Sequence, residues 1–526
     1  VLKIPLSTHK TALYLPSIGL LFATACGDPC LDDGLGAGNC FEQSTLAQDS
    51  DSDESDTNVD TSAEQSNSED ETAEGSSTST DSEDSTEEAE ESETETGAET
   101  STETAEETST ETGEGSTETG DDTETETGDP PVPGSCRPSE AYGSAGAYPA
   151  FTDPDYAGFL DHPVAIVSSR NNGGFVLHIA DISGEPPPPN MSYAAPLYKN
   201  PAWTEANLGR VFGLSLDSLG NIYAAGSTVY GANNSANIIR RIDSLSAEVS
   251  DFAVLPGMGP GLGNLNYDCI SESIYVSNHE DGRIYQLDMD GQILSTFRHS
   301  DGDVTMGAPD DPGEPDGQFA PLGERVWAVQ SYSGRLYYSV WWEDTGRHNA
   351  DQDNEIWSVG FTGDEGTFDG AAELEISLPG INNADYSNPV SDIAFANTGV
   401  MLLAARTMSG DTSTSAHQSA IRSYIHLADE WVPEEEPYLV GDIVNSAAGG
   451  IDQDFEGEYV WVSGDALDFY SPDVVYGIQG FPYGGGSVDN STLIDLDAEI
   501  AGQDKTVYGD LEIPIPADAA PVPPLD

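Results

Sequence analysis

The sequence predicts an all-β fold, a six-bladed β-propeller closed by its C-terminal strand, and three observations carry that expectation. After Cys136, short alternating apolar runs between Gly- and Asp-rich turns replace helical periodicity. A two-strand frame recurs five times at intervals of 50 to 65 residues, the spacing of propeller blades with long loops. The two ends of the array each lack what the other supplies.

The frame is read in order. Residues 212–216 (FGLSL) turn at Gly220-Asn221 into 222–224 (IYA), and 263–267 (GNLNY) lead to 274–276 (IYV). Residues 326–329 (VWAV) pass through Gly334 to 336–338 (LYY), and 391–395 (SDIAF) through Gly399 to 401–403 (MLL). Last come 449–451 (GGI) and 459–461 (YVW). Third strands are expected at 238–242, 283–287, 355–359, 420–424 and 474–478. Fourth strands are expected near 252–255, 293–297, 374–376, 438–440 and 493–494. Upstream, 165–167 and 175–179 read as strands without an inner partner, and 508–513 (YGDLEI) matches the inner-strand frame. Pairing the two ends makes a sixth, composite blade and removes the open edges. Seven blades is the alternative count. A Pro-rich tail, 516–526, follows as an extension.

The chain of 526 residues holds 95 acids against 16 Lys and Arg, a formal charge of -79. That excludes nucleic acid as a direct partner and docking on anionic lipid through protein charge. No stretch reaches the roughly 18 to 20 apolar residues that a membrane helix needs. The acids are unevenly placed. Residues 49–129 hold 32 of them and no base; four more acids precede this stretch, so 95 − 32 − 4 leaves 59 from Pro130 onward, against 14 bases. Residues 49–135, rich in Thr, Ser, Glu and Gly, are expected to be a disordered stalk. A coil of that length spans on the order of 50 Å, and self-repulsion extends it.

The first 25 residues read as an export signal: Lys3 and Lys10, then the apolar run 11–25 ending Ala23-Thr24-Ala25 before Cys26. The run resembles a bacterial lipobox, although Ala23 stands where Leu is usual. The resemblance implies lipidation of Cys26, and Gly27 after it implies the outer membrane or cell surface of a Gram-negative envelope. An ordinary signal peptide cut after Ala25 is the other reading. Residues 26–48 would join anchor to stalk. Lipidation of Cys26 leaves four cysteines, and Cys30 with Cys40 plus Cys136 with Cys269 is one of three connectivities.

Residues 214–226 (LSLDSLGNIYAAG) and the run from Tyr275 (YVSNHEDGRIYQLD) resemble NHL and gluconolactonase-like six-bladed propellers. The resemblance covers 160–515 as a repeat and is structural. It brings no catalytic set residue by residue, but it implies that a metal in such a fold would sit in the channel. The second residue of each frame is Gly213, Asn264, Trp327, Asp392, Gly450 and Asp510, with Asp452 nearby. Asn264, Asp392, Asp510 and Asp452 are hard oxygen donors that would suit calcium. Polar groups serving only the channel backbone are the plainer reading.

Elsewhere chemistry is sparse. Walker, HExxH and GxSxG signatures are missing. His279, Glu280 and His417 are the candidate bases. Asp288 and Asp290 read as a tight turn, and Asp351, Asp353 and Glu355 as a weak surface calcium candidate. The acid-rich loop 301–316 needs either mobility or a cation. Arg406 and Arg422 are expected to pair with carboxylates. The function expected is a monomeric, anchored module that binds a protein or glycan. A calcium-dependent lactonase or related hydrolase is the alternative.

Overall fold

The computed structural model describes residues 147–525 apart from short stretches, the longest being 185–191, 345–351, 381–384, 469–473, 497–505 and 517–524. Cys26, Cys30, Cys40, Cys136 and the stalk lie outside the described residues.

Six antiparallel sheets follow one another along the chain. Blade 1 runs Val211–Leu216, Ile222–Gly226, Ile238–Ile242 and Val249–Val254 from axis to rim. Blade 2 runs Leu262–Asp268, Ser273–Asn278, Arg283–Leu287 and Ile293–Arg298, with a fifth strand, Val304–Met306. Blade 3 comprises Arg325–Tyr332, Arg335–Trp341, Glu355–Phe361 and Phe368–Ser377. Blade 4 comprises Val390–Phe395, Met401–Ala405, Ile421–Leu427 and Glu430–Pro433. Blade 5 comprises Ala447–Asp454, Tyr459–Gly464, Gly477–Pro482 and Thr492–Asp495.

Blade 6 is the composite one. Val507–Glu512 pairs with Val164–Arg170 (Ile166 opposite Glu512, Val167 opposite Leu511), which pairs with Leu177–Asp181 and then Leu197–Tyr198. The ends therefore close the ring in one sheet. A second clasp has no counterpart in the sequence pattern. Ser192–Ala194, from a loop of blade 6, lies parallel to the outer strand of blade 5 (Ile494 opposite Tyr193).

Before the first blade strand, residues 147–160 wrap blades 6 and 1. Ala147 N–H bonds the Asp217 carbonyl and Ala150 N–H the Ser244 carbonyl, both at 2.9 Å. Phe151 stacks on Tyr198 at 5.7 Å and meets Trp203 edge-on at 5.6 Å, inside a core with Val164, Leu214 and Ile222. Similar apolar layers fill the gaps between successive blades, for instance Tyr223, Leu265 and Ile274 between blades 1 and 2. No helix among the described residues is long and apolar enough to cross a membrane.

Two strand expectations need correction. The outer strand of blade 4 is Glu430–Pro433, not 438–440. It follows the third strand through a two-residue hairpin in which Ala428 and Asp429 both take positive φ (52° and 70°), the type I′ geometry that matches strand twist. Ala-Asp is a poor signature for that turn, so the sequence hides it. Tyr438 makes only an isolated bridge to Gly486. In blade 5 the third strand starts at Gly477, three residues after the expected start. At the tail, Leu525 N–H reaches Ser333 Oγ at 3.3 Å and packs on the cluster around Tyr332 and Phe395, so this residue returns to blade 3.

Candidate functional site

Each of the six inner strands is irregular where the channel ring was expected. Pairing with the second strand slips between Val211 and Leu214, Leu262 and Leu265, Val326 and Val329, Val390 and Asp392, Ala447 and Ile451, and Tyr508 and Leu511. Gly213, Asn264, Trp327, Asp392, Gly450 and Asp510 lie in or beside these bulges. A bulge leaves backbone groups without ladder partners, and the surrounding side chains are those that satisfy them.

Second-strand serines take one share. Ser463 Oγ accepts from Gly450 N–H (2.9 Å) in its own blade and donates to the Gly509 carbonyl (2.6 Å) of the next. Ser339 does the same for Ala328 N–H and the Val390 carbonyl, and Ser277 for Asn264 N–H and the Trp327 carbonyl. Ser168 Oγ donates to the Phe212 carbonyl at 2.6 Å. Blade 4 has Ala404 and Ala405 in its second strand, and there Ser391 of the inner strand bonds the Gly449 carbonyl instead.

The axial acids take the other share. Asp392 Oδ2 accepts from Ile451 N–H (2.8 Å), Asp452 Oδ2 from Ile513 N–H (2.7 Å) and Asp510 Oδ2 from Leu214 N–H (2.6 Å). Each acid so ties its own inner strand to that of the following blade. Asn264 spans further: its Nδ2 donates to the Ser391 carbonyl (3.1 Å) and Asp392 Oδ1 (3.2 Å), while its Oδ1 takes Leu265 N–H (2.7 Å). Asp392 and Asp510 also hydrogen-bond to each other. The structure thus brings Asn264, Asp392 and Asp510 together, with Asp452 bonded into the same circle one strand on.

This group is enclosed. Asn264 and Asp510 are 1% and 0% exposed, Asp392 and Asp452 5% and 8%. A Cβ on Gly213 would lie 2.6 Å from Asn264 Oδ1, and one on Gly450 would lie 2.5 Å from Leu511 N. The two glycines allow the inner strands this approach. Beside the acids, where the inner strands begin, an aromatic plug closes the throat. Phe212 meets Trp327 at 5.1 Å, Trp327 meets Trp341 at 5.7 Å, and Tyr230 and Met408 complete the cluster. Tyr230 Oη donates to the Tyr508 carbonyl (3.0 Å), fixing the plug to blade 6.

Burial governs protonation. Loss of water, opposed by the N–H donors, raises Asp392 to about 6, and loss of water with the Asp392 and Asp454 charges raises Asp452 to about 8. Asp510 and Glu512 rise well above the carboxylate range, first through burial and then through the neighbouring acids. The hydrogen bond between Asp392 and Asp510 requires that one of the two carboxyls carry a proton.

A resident calcium would need free carboxylate oxygens and an amide oxygen facing a common point. Here the Asn264 amide turns its NH2 toward Asp392 and its oxygen toward its own backbone, and the acids' oxygens hold N–H donors. These residues do not fit an ion open to substrate.

The other candidates are placed as follows. Cys269 is disulfide-bonded, with its partner outside the described residues. His279 is fully buried against Trp327 (5.1 Å), and burial lowers it to about 3. Glu280 is held by the N–H groups of Met258 (2.7 Å), Gly259 (3.1 Å) and Gly317 (2.6 Å). His417 Nδ1 lies 3.0 Å from Ser446 Oγ. Asp288 Oδ1 caps a turn through Asp290 and Gln292 N–H. Asp351 lies outside the described residues, Asp353 accepts from Gly380 N–H, and Glu355 takes the indole N–H of Trp342 and Trp357. Arg406 forms a buried pair with Asp465 (2.6 Å), whereas Arg422 donates to the Pro379 carbonyl. Arginines meet the first part of loop 301–316, Arg283 at Asp311 (2.6 Å) and Arg298 at Asp301 (2.7 Å), whereas at its end Glu314 and Asp316 gather with Glu280, carboxylate oxygens within 4.8 Å of one another.

The bulge-tying serines and the plug were missed in the sequence. Serine is too common in strands to signal a role, but Trp327 in the ring, with Phe212 next to the ring's Gly213, is unusual for an open channel.

No family model matches the sequence, and no curated protein matches it. Solved structures that resemble it include the periplasmic gluconolactonase of Pseudomonas aeruginosa (11% identity, 69% of this chain and 99% of that one, TM-score 0.37). A putative 6-phosphogluconolactonase of Bacteroides fragilis resembles it at 12% identity over 67% of this chain and 98% of that one, TM-score 0.37. A chain of a nidogen/laminin complex does so at 10% identity over 67% and 98%, TM-score 0.34. At these identities and scores the likeness says nothing about activity.

Proposed function

We propose that this chain is an envelope-displayed binding module, anchored through lipid on Cys26, held off the membrane by the acidic stalk, and presenting its propeller as a monomer to a protein or glycan. The observation that carries the reading is the closed throat. The ring acids that would hold a lactonase metal serve the backbone of the next blade, and Phe212, Trp327 and Trp341 fill the approach to them. Two of the three candidate bases are likewise committed, His279 by burial and Glu280 by three N–H donors. A propeller without an open axial site uses its faces and flanks, and those surfaces here are strongly acidic.

The test sets this against the calcium-dependent lactonase. The purified chain is assayed for bound metal and for opening of a panel of five- and six-membered lactones, with calcium and with chelator. The expected result is no stoichiometric metal and hydrolysis at the buffer rate. Calcium-dependent turnover lost in Asp392→Asn would overturn the binding reading.

A further inference from the structure

A groove of about 480 Å3 opens on the flank between blades 3 and 4. It exists because the outer strand of blade 4 is short. The third strand, Ile421–Leu427, has seven residues, but Glu430–Pro433 pairs with it only over 424–427. Past that ladder one more bond forms, from Glu434 N–H to the Ser423 carbonyl (3.0 Å). Strand alternation turns the N–H and C=O of Ile421 to the same side as that carbonyl, into the groove. The facing wall is the end of the outer strand of blade 3, with Glu375 and Ser377. Tyr424 and Trp431 line the interior. Sequence periodicity predicts a strand at 438–440 to complete this blade, and among the described residues no strand fills that place.

The surroundings select by charge. Glu375 and Glu434 lie in the lining with Arg422 as its one base. Asp429, Glu430 and Glu435 follow along the same hairpin. Ile376, Tyr424 and Trp431 put apolar surface beside the acids in the same lining. The arrangement offers strand backbone, acid and apolar surface together, which matches an extended segment with alternating basic and apolar side chains.

We infer that the groove binds an extended basic segment of a partner protein as an added strand beside residues 421–423, with its Lys or Arg side chains on Glu375 and Glu434. This rests on the binding-module reading and gives that module's partner a chemistry.

The experiment uses the full chain and a labelled heptapeptide alternating lysine with valine, followed by fluorescence anisotropy. Controls are the glutamate–valine counterpart and the lysine peptide N-methylated along one edge, which keeps its charge but cannot pair as a strand. The lysine peptide is expected to bind, to weaken about tenfold in Glu375→Gln/Glu434→Gln, and to lose binding on N-methylation. Its binding should also protect the amides of 420–424 from hydrogen exchange. Binding unchanged by either alteration would be adsorption to the acidic stalk and overturns the inference. A neutral oligosaccharide that binds in its place, and is lost in the glutamine pair, overturns the partner class yet leaves the binding module standing. Lactone turnover in the assay above would remove the module reading itself.

Discussion

At the level of single residues, the polar atoms around the axis satisfy backbone that the bulges release. Ser463 shows it most plainly, since one hydroxyl accepts from Gly450 N–H and donates to the Gly509 carbonyl. Removing it leaves two buried backbone groups without that partner, each worth about 1 to 3 kcal/mol. Ser463→Ala is therefore expected to lower unfolding free energy by about 2 kcal/mol in urea titration. Ser250→Ala, at an exposed hydroxyl whose bond to the Arg241 carbonyl is 3.4 Å, should stay within a few tenths of a kcal/mol. Equal effects at both positions would refute the role given to the axial serines. The ring acids were legible as a set because their spacing follows the repeat. Their orientation was not, because it depends on where each strand bulges, and a bulge leaves no reliable mark in composition.

Among the elements, the inner and second strands were the readable ones. Both are buried on both faces, so Val, Ile, Leu, Tyr and Trp accumulate there whatever the loops do. Outer strands are half exposed, and their sequences follow solvent as much as the sheet. Hence EWVP at 430–433 gives no strand signal, while the more apolar 438–440 does. The wrap at 147–160 was also invisible: its aromatics gain meaning only when Tyr198 and Trp203 are brought beside them. Loop 301–316 reads as unstable on charge alone, yet Arg283, 1% exposed, and Arg298 come from the preceding strands to meet it. Arg298 lies only three residues before Asp301, but Arg283 is 28 residues from Asp311 and escapes a local reading. Chelator should then leave hydrogen exchange in this loop unchanged, whereas Arg283→Met should speed it at least about tenfold. A chelator-sensitive loop that ignores Arg283→Met would restore the metal explanation.

For the whole molecule, the excess of acid acts at two depths with different pH behaviour. From Pro130 onward 59 acids face 14 bases, and the exposed ones among them repel at neutral pH and are screened by salt. At the axis, Asp392 and Asp452 are raised to about 6 and about 8 from an ordinary value of 3.8. The folded state then binds more protons than the unfolded chain between pH 4 and 8, so stability must fall as pH rises through that window. Below it the sign reverses for Asp181, Asp243 and Asp301, whose values are lowered by hydrogen bonds and ion pairing, and stability is lost again in acid. The melting temperature should accordingly peak near pH 4 to 5 and decline toward pH 8. Salt distinguishes the two depths. At about 1 M the Debye length is near 3 Å, so the surface part of the decline should disappear while the axial part survives. Asp452→Asn removes one axial titration, at the expense of one acceptor for Gln453 or Ile513 N–H. It should lower stability at pH 5 yet flatten the slope between pH 6 and 8 in high salt. A slope that vanishes with salt in the parent chain, or is identical in the variant, would mean that the axial acids ionise as freely as those on the surface and that the throat admits water.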